Sequence, residues 1–312
     1  MTRTIHTPMG RMARPVALVL AVAALACGGH KSKATVATAE AHGVTPVAPV
    51  TPTATAEVRT PAPPAFESGD AAYKAGDFKA AAEMYKTTLD SAPDDAFGQY
   101  MLGLSSWKAG DFTAAKAAFD KSIALDSTFA KAYFNEARVL LDMKRPSEAL
   151  EIIEKGRTID STSPDGLRLV ARAKADGGDI EGAKATYREL LTRDETDAWG
   201  LNNYGMLFFE KGEISDALGP IARAVQLRPT APVFLNNLGM VLESMGCPVA
   251  ALHQYELAVQ SGSGYVNAVK NVDRLKGTMT DSTAVTDEVD VKALAEQFRL
   301  KVQSWKTEVP KS

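Results

Sequence analysis

Few residues in this 312-residue chain are placed to do chemistry. Of the four histidines, His6, His30 and His42 lie in an N-terminal stretch without helical periodicity, and His253 sits within a helix-patterned segment. One imidazole cannot hold a metal, and no HExxH, CxxC or calcium-loop pattern adds ligands. The runs "GDF" at 76 and 110 and "GGDI" at 177 invite a phosphate-loop reading, but they recur at one phase of a longer period and read as turns. Carboxylate pairs such as Asp94–Asp95 stand just before apolar runs, where an Asp caps a helix. No catalytic residue, metal site or cofactor is expected, and the chain is not read as an enzyme. What remains is recognition chemistry. Arg138, Arg168 and Arg172 either hold a ligand's carboxylate or pair with Asp142, Asp165 or Asp176.

The elements that must position these residues are set by a period. Ala81, Ala115, Ala149, Ala183, Ala217 and Ala251 are spaced 34 residues apart without a break. Twelve residues before each stands Gly69, Gly103, Ala137, Ala171, Gly205 or Gly239. Four residues after stands Tyr85, Phe119, Ile153, Tyr187, Ile221 or Tyr255. Numbered from Ala62, Ala96, Ala130, Pro164, Ala198 and Pro232, each unit has apolar residues at helical spacing over positions 2–14 and a second helix around position 20. Position 15 is Gly76, Gly110, Gly178, Gly212 or Gly246, a left-handed helix cap, with Lys144 the exception. The small residues at 8 and 20 let two helices approach, and the large residue at 24 is expected between neighbouring hairpins. Pro146, Pro164, Pro232 and Pro248 fall where a helix starts. Pro220 falls inside a second helix, where it should kink the helix or leave a carbonyl unpaired.

The segments "NNYGMLFFEKGEISDAL" and "NNLGMVLESMGCPVAAL" resemble the tetratricopeptide repeat, and the resemblance spans 62–265 without insertion. It implies an all-α, right-handed superhelical solenoid of about six helix-turn-helix units. Units three and four depart from the pattern, with Ala at position 8 and Glu136 at a usually apolar position. Residues 266–277 resemble a further first helix that caps the solenoid, with Lys270, Asp273 and Arg274 toward solvent. In this family the concave surface is built near positions 2, 5, 9, 12 and 13. Carried onto this chain, that implies a protein-binding groove of Phe66, Tyr73, Phe97, Tyr100, Trp107, Phe134, Arg138, Arg168, Arg172, Trp199, Asn202, Met206, Phe209, Asn236 and Met240. About half of the aromatics are expected to be exposed. Exposed aromatics on a rigid scaffold suit an extended peptide or an amphipathic helix. The Lys and Asn pair by which some members grip chaperone C-termini is missing; unit one has Phe66 and Asp70 instead.

Residues 1–26 read as a signal peptide: Arg3, Arg11 and Arg14 precede an apolar run to Ala26 that is too short to span a bilayer. "ALAC" resembles the lipobox of bacterial lipoproteins, which implies cleavage before Cys27 and lipidation of its thiol. Gly28 in place of Asp favours the outer membrane, facing the periplasm. Cys247 then reads as a packed small residue, with no internal disulfide. Residues 27–61 form an Ala/Thr/Pro tether with too few apolar groups to bury a core. Cleavage takes the formal charge from −3 to −6 because the removed segment holds three Arg and no acid. A mildly acidic chain without basic runs argues against nucleic acid.

After a linker at 278–290, Val291, Leu294, Phe298, Val302 and Trp305 form one apolar stripe over 291–307. That helix is expected to pack on the last repeats. The leading expectation is a lipid-anchored periplasmic scaffold that binds a protein or peptide of the envelope. It meets the membrane through its lipid only and takes no small-molecule substrate. The architecture is also similar to the tetratricopeptide pilotins of type IV pilus secretins, and an adaptor for a cell-wall hydrolase is a further reading.

Overall fold

A computed structural model describes residues 64–262, 265–279 and 289–308. The expected signal peptide and tether at 1–61, with Cys27, lie outside the described residues, as does most of the 278–290 linker. Among the described residues there are fourteen helices and no strand. Six hairpins come first: α1 (Pro64–Lys74) with α2 (Phe78–Ser91), α3 (Ala96–Lys108) with α4 (Phe112–Leu125), α5 (Ala130–Asp142) with α6 (Pro146–Ile159), α7 (Pro164–Asp176) with α8 (Ile180–Arg193), α9 (Ala198–Glu210) with α10 (Ile214–Leu227), and α11 (Pro232–Ser244) with α12 (Pro248–Ser261). Then follow α13 (Val266–Thr278) and α14 (Val291–Glu308).

The turn between paired helices has one construction throughout. The position-15 residue has positive φ, from 75° to 91° at the five glycines and 61° at Lys144. The next N–H returns to the carbonyl five residues back, as from Asp77 to Ala72 at 3.0 Å and from Arg145 to Leu140 at 2.9 Å. This left-handed cap satisfies carbonyls that the helix end would orphan. Asp77, Asp111 and Asp179 then cap the second helix by accepting the N–H three residues on. The "GDF" and "GDI" runs are therefore a stop signal followed by a start signal.

The packing explains the alanine period. All six position-20 alanines are fully buried, and every position-24 residue is buried, Tyr187 at 4% exposure and the other five at 0%. A Cβ added at Gly103 would lie 2.7 Å from the Phe119 ring, and one at Gly239 would lie 2.5 Å from Tyr255. Position 24 thus covers position 8 of its own hairpin, and at Tyr187 it also reaches the next hairpin, at Tyr204, as the sequence led one to expect. The core is serial, with one apolar cluster from Phe66 to Val139 and another from Phe134 to Ala173. From α3 onward successive first helices pack on one another, as α5 with α7 and α7 with α9, more closely than successive second helices do. The first helices therefore form the inner side of the curve.

Three residues that stood out in the sequence have clear settings. Pro220 lies inside α10 and is buried, with the helix running on through Leu227. Glu136 is 2% exposed and pairs with Lys116 at 3.3 Å. Burial pushes its carboxyl up to about 7, with Asp120 adding to the shift and Lys116 opposing it. Cys247 is buried and disulfide-bonded, and no cysteine among the described residues is free. This corrects the expectation of a packed thiol without a disulfide.

At the end of the solenoid, α13 exposes Lys270, Asp273 and Arg274. Arg274 grips Glu243 through two bonds of 2.6 and 2.7 Å. Asp273 occupies the position that holds Gly or Ala in the six complete units, so a second helix could not approach α13 closely there. The C-terminal helix α14 returns to the outer side, against α10 and α8. It buries Ala295, Phe298, Val302 and Trp305. It packs mainly on units five and four, so its seat takes in one of the last repeats, as expected, together with the unit before it.

Candidate functional site: the inner face

The inner-face positions divide by burial. Phe66, Tyr100, Trp107, Phe134, Arg138, Asn202 and Asn236 are buried. Tyr73, Phe97, Arg168, Arg172, Trp199, Met206, Phe209 and Met240 are partly exposed. The aromatics of units one to three stack along the chain, with Phe66, Phe97 and Tyr100 linked by ring-centroid distances of 6.0 and 5.9 Å. Most of this floor is therefore core, and surface for a ligand is concentrated in units four to six.

Amides form rungs across three of the junctions at a spacing of 35 residues, one more than the repeat. Asn135 donates to the Tyr100 hydroxyl, Asn237 to Asn202, and Asn271 to Asn236, each at 2.9 Å. Each rung joins position 6 of one unit to position 5 of the unit before. Buried polar groups must be paired, and these pairs fix the stacking register. Trp107 likewise reaches Asp142 at 2.7 Å across the same interval. Sequence reasoning saw the asparagines but not their pairing, which appears only when one unit is compared with its neighbour one position out of phase.

The expected basic band is neutralised internally. Arg138 is 2% exposed, bonded to Asn135 at 2.7 Å and to Asp165. Arg168 binds Asp197, a buried carboxylate that also caps α9 through the Gly200 N–H. Arg172 binds Asp142 at 2.7 Å and lies 3.6 Å from Asp176. Burial pushes the Asp165 carboxyl up, yet Arg138 and Arg168 outweigh it and hold the group below the usual carboxylate range. Of the two alternatives open in the sequence, internal pairing is the one observed. Arg168 takes a partner, Asp197, outside the three acids considered.

Beside this network a shallow pocket opens among Lys144, Arg172, Asp176, Tyr187, Met206 and Glu210. Its acids Asp176 and Glu210, and Asp142 paired with its Arg172, are poorly placed for stability. Asp142, Asp176 and Glu210 are the last residues of α5, α7 and α9, where the helix dipole disfavours negative charge. Burial raises the Asp176 carboxyl against the pull of Arg172 and Lys144. Burial also raises Glu210, and the neighbouring Asp176 adds to it. Among the described residues no group of three or more His, Cys, Asp or Glu is arranged to hold a metal ion. The arrangement offers charge pairs and a thioether to a ligand, which is the chemistry of recognition.

Comparisons agree with this architecture. Sequence models of the Tetratricopeptide repeat match residues 66–104, 106–173 and 170–232, and the chain belongs to that family. A tetratricopeptide repeat protein from Parabacteroides merdae superposes with a TM-score of 0.62 at 11% identity, covering 68% of this chain and 83% of that one. The Cut9–Hcn1 hetero-tetramer of the APC/C gives 0.56 at 14% identity, over 73% of this chain and 48% of that one. A thermophilic repeat protein of Thermus thermophilus gives 0.53 at 18% identity, over 58% and 98%. These likenesses establish the fold. A curated relative, the protein O-mannosyl-transferase Tmtc3 of Drosophila melanogaster, is 27% identical over 144 residues. The match takes in 46% of this chain and spans 16% of that protein's length.

Proposed function

We propose that this protein is a scaffold of the bacterial envelope that binds another protein through the inner face of units four to six. The observation that carries the binding reading is the pocket at the α5, α7 and α9 ends. There partly exposed Met206 and Arg172 adjoin carboxylates kept at the unfavourable ends of their helices. Groups held at a cost to folding mark places where recognition takes precedence. The mannosyl-transferase activity named for the curated relative is not carried over, because so little of that protein is matched.

Photo-crosslinking in cells tests the reading. A crosslinker at Met206 should give a discrete protein adduct that one at the exposed Lys301 does not. Equal adducts from both positions, or none from Met206, would refute the inner-face assignment. Recovery of a pilus secretin or of a cell-wall hydrolase would tell a pilotin-like role from an adaptor role.

A further inference from the structure

Unit five departs from the other five at four positions, and two of them, Tyr204 and Gly219, meet α14 directly. Position 7 is Tyr204, where the others have Ser68, Leu102, Glu136, Val170 and Leu238. Position 11 is Phe208, the only aromatic in its column. Position 22 is Gly219, where every other unit has a side chain, and position 23 is Pro220. A Cβ on Gly219 would stand 3.2 Å from Phe298. Phe298 and Trp305 meet edge to face at 5.8 Å, and both approach Tyr204, at 6.4 and 6.2 Å. The Arg188 guanidinium of α8 lies 4.9 Å from the Trp305 ring centre, and Lys306 reaches Glu195 at 2.7 Å. The second helices α8 and α10 thus hold a helix between them.

Behind α14 the contacts continue inward. The Tyr204 ring is 4.7 Å from Phe208 and 5.7 Å from Tyr187. Tyr187 lines the inner pocket, and so do Met206 and Leu207 from the same helix as Tyr204. The α8–α9 contact is also the sparsest of the junctions between successive units, so α14 supplies packing that the repeats there do not give one another.

We infer that α14 is a built-in ligand of the α8–α10 furrow, and that its occupancy sets the shape of the inner pocket through Tyr204 and Tyr187. Release of α14 relaxes the junction of units four and five and opens or distorts the pocket. A partner that draws α14 away therefore changes binding on the opposite face. The inference rests on the reading of the pocket as the binding site, but its test reads geometry and needs no partner.

Hydrogen exchange and hydroxyl-radical oxidation of Met206 are measured on the full chain and on two variants. F298A/W305A weakens the seat from the α14 side, and Gly219→Leu blocks it from the α10 side. Expected is faster exchange of residues 291–308, a rise of at least about tenfold across α8 and α9, unchanged exchange over α1–α4, and a changed Met206 oxidation rate. Release of α14 in either variant with α8, α9 and Met206 unaltered would overturn the coupling. Retention of α14 in both variants would overturn the seat itself. Failure of crosslinking at Met206 would count against the binding site and leave this result standing.

Discussion

Lys144 allows a direct measurement of what the repeat turn demands. It has φ 61° and makes the same cap hydrogen bonds as the five glycines at its position. A side chain in the left-handed region costs about 1–2 kcal/mol. Glycine avoids that cost but gives back about 0.5–1 kcal/mol through the extra freedom of its unfolded state. Lys144→Gly also removes a charge that draws on Asp176 and Glu210, so it should be compared with Lys144→Ala, which removes the same charge and keeps the Cβ. The Gly variant should be more stable than the Ala variant by about 0.5–1.5 kcal/mol. With an m-value of about 2–3 kcal/mol/M, the urea midpoint should differ by roughly 0.2–0.7 M at 25 °C. Exchange protection confined to α5 and α6 should rise in parallel, because neighbouring repeats couple only at their interfaces. Equal midpoints, or a lower one for Gly, would refute the argument that this turn is strained.

Gly103→Ala should cost about 1–3 kcal/mol in a thermal melt, because the added carbon would stand 2.7 Å from Phe119 in a filled core. Arg168→Ala should cost about 3 kcal/mol by chemical denaturation, since it leaves the Asp197 carboxylate, 4% exposed, without its charge partner. Glu136 predicts a pH effect of known sign. Its folded pKa of about 7 exceeds the ordinary 4.5, so its stabilising contribution is present in full below 4.5 and is lost as pH rises through 7. Stability from urea melts should fall between pH 5 and pH 8 by an amount on the order of 2 kcal/mol, and Glu136→Gln should remove that part of the slope.

The repeat was legible because it is local. Helix periodicity, the Gly or Asp at each turn and the Pro at each helix start act within a few residues of where they stand, and the observed starts at Ala96, Ala130, Pro164, Ala198 and Pro232 keep the 34-residue step. The partly exposed inner face was less legible. Position 5 holds buried Tyr100 and Asn202 but partly exposed Arg168, because each is decided by what position 6 of the next unit presents. Pro220 looked like an error in one helix and stands next to Gly219, which seats another, and no window shorter than the gap from Gly219 to Phe298 could have shown that seat. The C-terminal stripe announced a helix that needed a surface, but periodicity carries no address.

The junction rungs have a bearing on how such a chain can be rebuilt. Between units two and three the facing pair is Tyr100 with Asn135, and between units five and six Asn202 with Asn237. Between units three and four, Phe134 and Leu169 occupy the same two positions inside one apolar cluster. A unit moved to a new place brings its half of a pair to the wrong counterpart. Unit six set after unit three would press the Asn237 amide against Phe134 and strand a buried donor, at a cost of about 1–3 kcal/mol. The repeats share one length and one fold, yet their order along the chain is written in these mismatched alphabets. Shuffling or deleting a unit would have to be accompanied by rewriting positions 5 and 6 on both sides of the cut.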